Sequence, residues 1–458
     1  MKLPDLYKCN IAILGLGYVG LPLAVEFASI KECMRTGKKI NRKIIGFDLN
    51  EKRLSQLKNG IDITKEVNIE EFNLLENIQF TNDNSLLEEV DIYIVTVPTP
   101  IDKNNNPDFT FLINATTIIG ESIKKKNSLF LNENNKEYTN PIIIYESTVY
   151  PGATEEICAE ILEKVSGLIY NNEDTRNGFF CGYSPERINP GDNLHKLSNV
   201  VKVTSGSNPI VADWIDALYG SIIKAGTFKV KNIKIAEAAK VIENIQRDIN
   251  ISLMNELSMI FKKLDIDTLD VIEAASTKWN FMQYKPGLVG GHCIGVDPYY
   301  LAYKAEEVGH QPQLLTAGRK INDEMGNWIV TNFIKSLLKS GITIDKPKIL
   351  ILGLTFKENC PDIRNTKVIN IIRALEDYGI KYDIIDPWVE IKEARKIYSL
   401  EIKNQINFKN KYQGIICAVA HKEFIEISAK KFKSLVVENG IIYDIKGCLK
   451  REINAERI

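Results

Sequence analysis

The chain has 458 residues and a formal net charge of -1, with 44% hydrophobic and 26% charged residues. The length suggests roughly three domains of about 150 residues each, and the composition is that of an ordinary globular protein. A charge this close to zero gives no electrostatic reason to expect nucleic acid or an anionic membrane as a partner.

The cysteines indicate a reducing compartment. The sequence holds eight cysteines with no CxxC pair, and its four histidines do not cluster with them. This spacing argues against a disulfide framework and against a structural zinc, so we predict no metal site. We expect a cytoplasmic protein, because proteins of that compartment rarely contain disulfides.

The first predicted element is a strand that runs into a glycine-rich turn. Residues 9–14 are β-rich, the sequence GLGYVG follows, and an apolar helical pattern comes directly after it. In this GxGxxG context the first glycine makes the turn, the second lets the backbone approach a pyrophosphate, and the third allows tight helix packing. The candidate cofactor contacts here are Gly15, Gly17, Tyr18, Val19 and Gly20.

An acidic residue ends the next predicted strand. Residues 43–47 lead to Asp48, where a carboxylate binds the ribose hydroxyls and repels a 2′-phosphate, which favours NAD over NADP. Asp48 lies 28 positions after Gly20, a longer separation than usual, and a polar insert at residues 31–42 accounts for the excess. The alternative is an ordinary turn acid. Arg53 is either a contact to the adenine or a phosphate, or a solvated helix residue.

Two further buried-type strands end in polar loops. Residues 91–97 precede Thr99, and residues 141–145 precede the loop that contains Thr148. Because ligands bind beyond the carboxyl ends of parallel strands, both threonines are candidate contacts to cofactor or substrate. The alternative for each threonine is a helix N-cap.

The loop YSPERINP, at residues 183–190, follows another strand signal and is bracketed by prolines. It places Glu186 next to Arg187, and both are candidate site residues. The alternative interpretation is a surface ion pair, which contributes little to stability.

Residues 232–264 carry the longest helical pattern in the chain. Apolar residues recur about every 3.6 positions from Ile235 to Leu264. Such a helix is roughly 50 Å long, too long for one small domain to bury, so we expect it to join domains and also subunits. Lys240 and Asn244 are one turn apart and share a face. An ordinary solvated lysine is the alternative for Lys240.

A glycine-rich stretch at residues 284–300, YKPGLVGGHCIGVDPYY, contains Cys293, with Asp297 four positions later. Glycines bring backbone amides close to a ligand and permit positive φ, so the stretch suits a loop around a substrate. It therefore predicts an accessible, reactive thiol, and the alternative is a tight turn with a buried cysteine. Its candidate ligand contacts include Tyr284, Gly287, Gly290 and Gly291.

A second strand–turn–helix unit begins late in the chain. Residues 348–352 have a strand pattern, and residues 353–366 form a turn that leads into a helix. The unit lacks the full glycine fingerprint, but its turn carries Lys357 and Arg364, two cations suited to phosphates. Residues 451–458 look like a frayed end.

Six motifs occur in this order along the chain: GLGYVGLPLA, VPTP, ESTVYPG, EAAKVIEN, GGHCIGVDPYYL and GLTFKENCPDIRNT. As a set they resemble the UDP-glucose/GDP-mannose dehydrogenase family, from about residue 9 to past residue 388. The resemblance implies an α/β fold with two Rossmann-like doubly wound parallel-sheet domains, joined by a long central helix and a helical middle domain. It implies an NAD-binding domain at residues 1–209, a central helical dimerisation domain with the catalytic cysteine loop at 210–325, and a UDP-sugar-binding domain at 326–458.

The forms GGHCIGVDPYYL and YSPERINPG resemble the branch of the family that oxidises UDP-N-acetylhexosamines to uronic acids for capsule and O-antigen. Within this branch the chain is most similar to the Vi-antigen type, which implies UDP-N-acetylglucosamine as substrate. Members specific for UDP-glucose typically have Ser or Thr before the cysteine and a Lys near the aspartate. Here His292 precedes Cys293, and Pro298 follows Asp297. UDP-N-acetylgalactosamine and UDP-N-acetylmannosamine are the alternatives.

The reaction that the resemblance implies is a four-electron oxidation of the sugar C6 alcohol to a carboxylate with two NAD per turnover. An aldehyde yields a second hydride only after a nucleophile has added to it, and the resemblance gives this role to Cys293, through a thiohemiacetal and a thioester. Lys240 and Asn244 are implied to stabilise the oxyanion. Asp297 is implied as a base or as a residue that orients water, with Thr148 positioning the same water.

The resemblance also implies binding roles. Glu186 assists thioester hydrolysis, Arg364 reaches the cofactor, and the amides of residues 287–291 hold the UDP-sugar. Other implied substrate contacts are Arg187, Lys240, Asn244, Tyr284, Arg319 and Lys357. A homodimer through the central helix is also implied. Two other functions stay open: a non-catalytic NAD or UDP-sugar sensor with a redox-active cysteine, and a simpler hydroxy-acid dehydrogenase that performs one oxidation.

Overall fold

A computed structural model of the chain describes residues 1–64, 66–67, 77–132, 138–174, 176–187, 196–291, 293–342 and 347–458. His292 and residues 188–190 of the loop YSPERINP lie outside the described part. The chain divides into two compact units. The first unit contains Met1–Glu243 and Tyr299–Val308, and the second contains Asn244–Pro298 and Gly309–Ile458.

A largely parallel sheet forms the centre of the first unit. Its strands within the described ranges are β1 (Ile11–Leu14), β2 (Ile44–Phe47), β3 (Ile78–Thr81), β4 (Ile92–Val95), β5 (Ile142–Tyr145), β6 (Ile169–Tyr170), β7 (Gly178–Tyr183), β8 (Lys202–Gly206) and β9 (Thr227–Lys229). They are ordered β3-β2-β1-β4-β5-β7-β8-β9, with β6 beside β7. The first six strands of this spatial order, β3-β2-β1-β4-β5-β7, are arranged as in a Rossmann fold. β7 and β8 are antiparallel.

Helices cover this sheet. They are α1 (Gly20–Ser29), α2 (Glu51–Lys58), α3 (Thr110–Asn132), α4 (Glu160–Ser166) and α5 (Pro209–Gly220), with a π-helical turn at Thr154–Ala159. Strands β1, β4 and β5 are apolar runs buried along their whole length, as expected for parallel strands covered on both faces. Residues of α1 and α5, such as Phe27 and Leu218, pack with Ile13 of β1 in one core.

Helix α6 (Ile233–Lys263) has 31 residues and confirms the long helix predicted at residues 232–264. The division between the two units falls within it. Four large apolar side chains of this helix are exposed: Ile235, Ile242, Leu253 and Ile260. Its buried side chains include the apolar Val241, Ile245 and Met254 and a row of polar residues, namely Glu237, Lys240, Asn244, Asp248, Ser252, Asn255 and Ser258. The predicted apolar stripe therefore exists, but it faces away from the interior of the chain.

A second Rossmann-like sheet lies in the second unit. The chain passes from α6 through α7 (Thr268–Ala275), α8 (Asp297–Glu307) and α9 (Gln313–Lys339) to this sheet. Its described strands are β10 (Lys348–Leu352), β11 (Lys381–Ile385), β12 (Ile402–Lys403), β13 (Tyr412–Cys417), β14 (Val436–Asp444) and β15 (Glu456–Arg457). The order β12-β11-β10-β13-β14-β15 is again that of a Rossmann fold.

The second sheet is covered on both faces. The helices beside it are α10 (Val368–Asp377), α11 (Ile391–Tyr398), α12 (Lys422–Ile425) and α13 (Ala429–Lys433). Ile349 and Ile351 of β10 belong to one apolar core, and Leu350 and Leu352 belong to another, because alternate residues of a strand face opposite sides. The α/β class, with two Rossmann-like regions and a helical region between them in sequence, is confirmed.

The prediction of a frayed C-terminus is wrong. β15 pairs with β14 in parallel, and the last residue, Ile458, is only 4% exposed. The segment is too short and too polar to show a strand pattern in the sequence, so its pairing depends on the sheet edge that β14 offers. No helix in the described ranges has the length and apolarity needed to cross a bilayer.

Candidate active site

The GLGYVG turn leaves room for a ligand at its second glycine. Gly15 has a φ of +97°, a left-handed conformation that suits glycine. A Cβ on Gly20 would lie 1.9 Å from the carbonyl oxygen of Gly15, so this position must stay small. A Cβ on Gly17 would meet no described atom within 4 Å. Tyr18 and Val19 complete the turn, with Val19 directly before α1. The space beside Gly17 is where a pyrophosphate lies in a Rossmann turn.

Asp48 follows β2 and lies beside the same turn. Its Oδ2 accepts the N–H of Leu16 at 2.8 Å, and its Oδ1 accepts the N–H of Asn50 at 2.8 Å. Each carboxylate oxygen can accept more than one hydrogen bond, so the group is still able to bind ribose hydroxyls. The turn and Asp48 together fit NAD.

Arg53 is not a solvated helix residue, so that interpretation is wrong. It is buried, its Nε donates to the carbonyl of Leu16 at 2.9 Å, and it forms an ion pair with Asp62 at 2.9 Å. Burial raises the pKa of Asp62, but hydrogen bonds from Thr64 and Arg53 outweigh it and hold the pKa below its ordinary value. Arg53 therefore stabilises the backbone of the glycine turn through its hydrogen bond to the Leu16 carbonyl. Its contact to the cofactor stays a prediction.

The loops after β4 and β5 are tied to each other. Thr99 Oγ1 donates to the carbonyl oxygen of Thr148 at 2.7 Å. The hydroxyl of Tyr300 donates to the carbonyl oxygens of Thr99, at 2.8 Å, and of Pro100, at 3.0 Å. Neither threonine caps a helix, since α3 begins at Thr110 and the π-helical turn is preceded by Ala153. The N-cap alternative is therefore wrong for both.

Glu186 and Lys240 form a buried pair. Lys240 Nζ donates to the carbonyl oxygen of Glu186 at 3.0 Å and to its Oε2 at 3.3 Å. Burial raises the pKa of Glu186, against the lowering effect of Lys240 and Lys202. Its Oε1 has no hydrogen-bond partner in the part of the chain that the structure describes. Arg187 pairs with Glu243 instead, so the predicted surface pair between Glu186 and Arg187 is wrong.

A buried ion pair that the sequence did not reveal contacts the residue directly before Glu186. Lys202 Nζ donates to Glu146 Oε2 at 2.7 Å and to the carbonyl oxygen of Pro185 at 3.0 Å. The hydroxyl of Tyr219 donates to the other carboxylate oxygen of Glu146. This network fixes the backbone immediately before Glu186. Glu146 opens the motif ESTVYPG directly after β5, whereas nothing in the sequence distinguishes Lys202 from a surface lysine.

In the second unit, Cys293 lies in the turn that opens α8. Its carbonyl oxygen accepts the N–H of Asp297 at 2.8 Å, the first hydrogen bond of that helix. The Cys293 side chain is partly exposed, so the alternative of an inert, buried cysteine is wrong. Gly291 has a φ of +87°, and a Cβ there would lie 2.8 Å from the ring of Phe356. The close approach of Gly291 to Phe356 is the kind of contact that glycines in this loop predict.

Asn244 and Asp297 meet in the same unit. Asn244 Nδ2 donates to Asp297 Oδ2 at 2.6 Å, and both residues are buried. This bond fixes the orientation of the carboxylate at the start of α8. It brings together two residues that were assigned separate roles in the sequence.

An asparagine pair missed in the sequence holds the glycine loop. Asn255 Oδ1 accepts the N–H of Gly287 at 2.7 Å, and Asn255 Nδ2 donates to the Gly287 carbonyl at 3.0 Å and to Asn322 Oδ1 at 2.7 Å. Lys446 also lies close to this loop, with its Nζ 3.5 Å from where a Cβ of Gly287 would be. Burial lowers the pKa of Lys446. The helical spacing of Asn244, Asp248 and Asn255 was the signal that could have revealed Asn255.

The remaining predicted substrate contacts carry partners of their own. Arg319 is buried and bonds to Asp248 at 2.6 Å and Asp323 at 2.6 Å. Arg364 forms a bidentate pair with Asp362, and Lys357 is half-buried in the turn after β10. The Tyr284 hydroxyl accepts from Gln246. Arginine and lysine side chains are suited to binding phosphates, so the roles of these residues as substrate contacts stay predictions.

Comparison with known proteins identifies the family. The NAD binding domain of this family matches residues 9–223 of the chain, the family's central domain matches residues 234–324, and the family's UDP binding domain matches residues 350–451. The chain belongs to the UDP-glucose/GDP-mannose dehydrogenase family.

Similar members of this family cover the whole chain. A UDP-N-acetyl-D-glucosamine 6-dehydrogenase from Pseudomonas aeruginosa is 49% identical over 443 residues, with 97% of this chain and 98% of the relative covered. Protein CapL from Staphylococcus aureus is 47% identical, with 97% of both chains covered. A solved UDP-D-ManNAc dehydrogenase from Pyrococcus horikoshii is 26% identical with a TM-score of 0.81, and covers 96% of both chains.

Gly17 and Gly20 of the cofactor turn give a matched test. We expect Gly17→Ala to change the free energy of unfolding by less than about 0.5 kcal/mol and to raise the dissociation constant for NAD roughly tenfold or more, because the methyl fills ligand space. We expect Gly20→Ala to lower the free energy of unfolding by about 1–3 kcal/mol, since its methyl meets backbone.

The measurements are NAD binding by calorimetry and unfolding in denaturant for both variants. Equal NAD affinity in Gly17→Ala and in the unmodified protein would show that the turn does not contact the cofactor.

Proposed function

We propose that this protein is an NAD-dependent UDP-N-acetylglucosamine 6-dehydrogenase that forms a uronic acid for a capsule or O-antigen polysaccharide. The observation that carries this proposal is 49% identity over 97% of the chain to a dehydrogenase with that substrate in its name. The capsule assignment is supported by 47% identity to Protein CapL. We propose the cytoplasm as its location and residues 1–209, 210–325 and 326–458 as its NAD, central and UDP-sugar domains.

The proposed chemistry runs through the thiol of Cys293. When bound, NAD accepts one hydride at each of two oxidations, so two molecules are used per sugar. After the first, the Cys293 thiolate adds to the C6 aldehyde and forms a carbon–sulfur bond. The second oxidation turns the thiohemiacetal into a thioester. Water then attacks the thioester carbon, the carbon–sulfur bond breaks, and the carboxylate leaves with the thiolate restored.

The groups along α6 have proposed roles in these steps. Lys240 Nζ and Asn244 Nδ2 stabilise the negative oxygen on C6, where each donor lowers the barrier by roughly 3 kcal/mol. Asp297, oriented by Asn244, takes the protons that leave the alcohol and the water, while Thr148 holds this water. Glu186, whose buried side chain keeps one oxygen without a described partner, assists thioester hydrolysis.

The proposed binding contacts fall into two groups. The UDP-sugar is held by Arg187, Tyr284, Gly287, Gly290, Gly291, Arg319 and Lys357. NAD is held by the GLGYVG turn, Asp48, Arg53, Thr99 and Arg364. The support for the diphosphate contacts is the positive charge of Arg319 and Lys357.

Replacing the nucleophile separates the two oxidations. We expect the unmodified protein to form two NADH per UDP-N-acetylglucosamine, with a higher kcat/KM than for the galacto, manno or glucose analogues. In Cys293→Ser we expect uronic acid formation to fall by roughly 10³-fold or more, because a hydroxyl is a poor nucleophile for the aldehyde. The measurement is NADH absorbance together with mass analysis of the sugar product.

The matched control is Cys33→Ser. Cys33 lies in the insert at residues 31–42, and we expect this variant to keep full activity. Uronic acid formed at the unmodified rate by Cys293→Ser would refute covalent catalysis. No NADH from any UDP-sugar would favour a non-catalytic sensor.

We also propose that two copies of the chain dimerise through α6. Four large apolar side chains line the outer face of this helix, including Ile242, 56% exposed, and Leu253, 48% exposed. A row of this kind along 31 residues costs solubility in a monomer and suits burial against an identical helix.

We expect Leu253→Lys to shift the protein to monomers in light scattering at micromolar concentration, because two charges would meet in an apolar interface. The control is Glu256→Lys, which introduces the same residue at an exposed polar position of the same helix. A dimer that survives Leu253→Lys unchanged would place the contact elsewhere.

A further inference from the structure

Two thiols and a carboxylate meet at the carboxyl end of the second sheet, and the proposed oxidation uses none of them. Cys417 ends β13 and pairs in register with Asp444, which ends β14. Gly447, with a φ of +58°, turns the chain back so that Cys448 joins them. The Sγ atoms of Cys417 and Cys448 are 3.9 Å apart, and Cys448 Sγ lies 3.6 Å from Asp444 Oδ1.

These separations are those of ligands around one tetrahedral ion. Zinc–sulfur bonds of about 2.3 Å and a zinc–oxygen bond of about 2.0 Å place two sulfurs ~3.8 Å apart, and a sulfur and an oxygen ~3.5 Å apart. All three ligand atoms lie within 4.8 Å of one another. We propose that Cys417, Asp444 and Cys448 bind a thiophilic divalent cation such as Zn²⁺, with a fourth position open to water.

The surroundings suit such an ion. Cys417 belongs to an apolar core that includes Phe424, and Asp444 is buried, while Cys448 is partly exposed and offers a path from solvent. Asp444 Oδ2 accepts the N–H of Leu449 at 2.7 Å, which orients Oδ1 toward the sulfurs. Such outer hydrogen bonds commonly hold metal ligands in place.

A lysine lies beside this cluster. Two thiolates and one carboxylate around a divalent ion leave one net negative charge. Lys446 is in the same turn and interacts electrostatically with Cys448. The same lysine approaches Gly287 of the glycine loop, so a bound ion would fix the turn that supports this loop.

The test is Co²⁺ titration of the reduced, metal-free, full-length protein without oxygen. We expect one Co²⁺ per chain, with the ligand-field absorption of a tetrahedral site and a thiolate charge-transfer band. Added Zn²⁺ should abolish both signals by displacement. Cys448→Ser should remove the bands, and Cys448→His should restore ligand-field absorption with about half the charge transfer, because His is a zinc-type ligand and one thiolate remains.

Cys293→Ser is the control for the other partly exposed thiol, and it should keep both bands. The proposal is overturned if the unmodified protein shows no tetrahedral Co²⁺ signal, or if the signal is lost in Cys293→Ser and kept in Cys448→Ser. Thermal unfolding of each variant verifies that it is folded. The readout is absorption by the metal and not turnover, so its failure leaves the proposed dehydrogenase activity untouched.

Discussion

The buried polar face of α6 is the constraint on which the rest of the structure depends. This helix buries the polar side chains of Glu237, Lys240, Asn244, Asp248 and Asn255, and it exposes Ile235, Ile242, Leu253 and Ile260. Removing charges from water costs several kcal/mol per ion, and a buried pair recovers this only with good geometry. The partners are accordingly close: Lys240 with Glu186, Asn244 with Asp297, and Arg319 with Asp248. Such an arrangement contributes little to stability, and we therefore infer that its use lies in the chemistry proposed for it.

Each unit prepares a different part of that chemistry. In the first unit, the turn at Gly17 and the carboxylate of Asp48 offer a nucleotide site at the carboxyl end of a Rossmann sheet. In the second unit, Asn255 fixes both the N–H and the carbonyl of Gly287, so the glycine loop has one defined path despite its flexible composition. A backbone that is held in place before the ligand binds needs less reorganisation when negative charge develops on a substrate.

Local patterns made much of the fold and several site residues predictable. The GLGYVG turn, the buried strands and the long helix are each defined by neighbours in sequence. Which side of α6 faces inward was not predictable, because periodicity locates an apolar stripe without saying what covers it. The pair of Lys202 with Glu146 was missed for a related reason, since the two residues lie 56 positions apart in sequence. The same holds for Cys417 and Cys448, whose 31-residue separation resembles no metal motif.

The central claim is that the polar face of α6 serves catalysis at the expense of stability. The most direct measurement compares turnover and the free energy of unfolding in the double variant Lys240→Met with Glu186→Leu. The account predicts that kcat falls by roughly 10³-fold or more, while the free energy of unfolding stays equal or rises by about 1–4 kcal/mol, because an apolar pair replaces a buried ionic one. A variant that keeps its turnover, or that loses stability by several kcal/mol, would contradict the account.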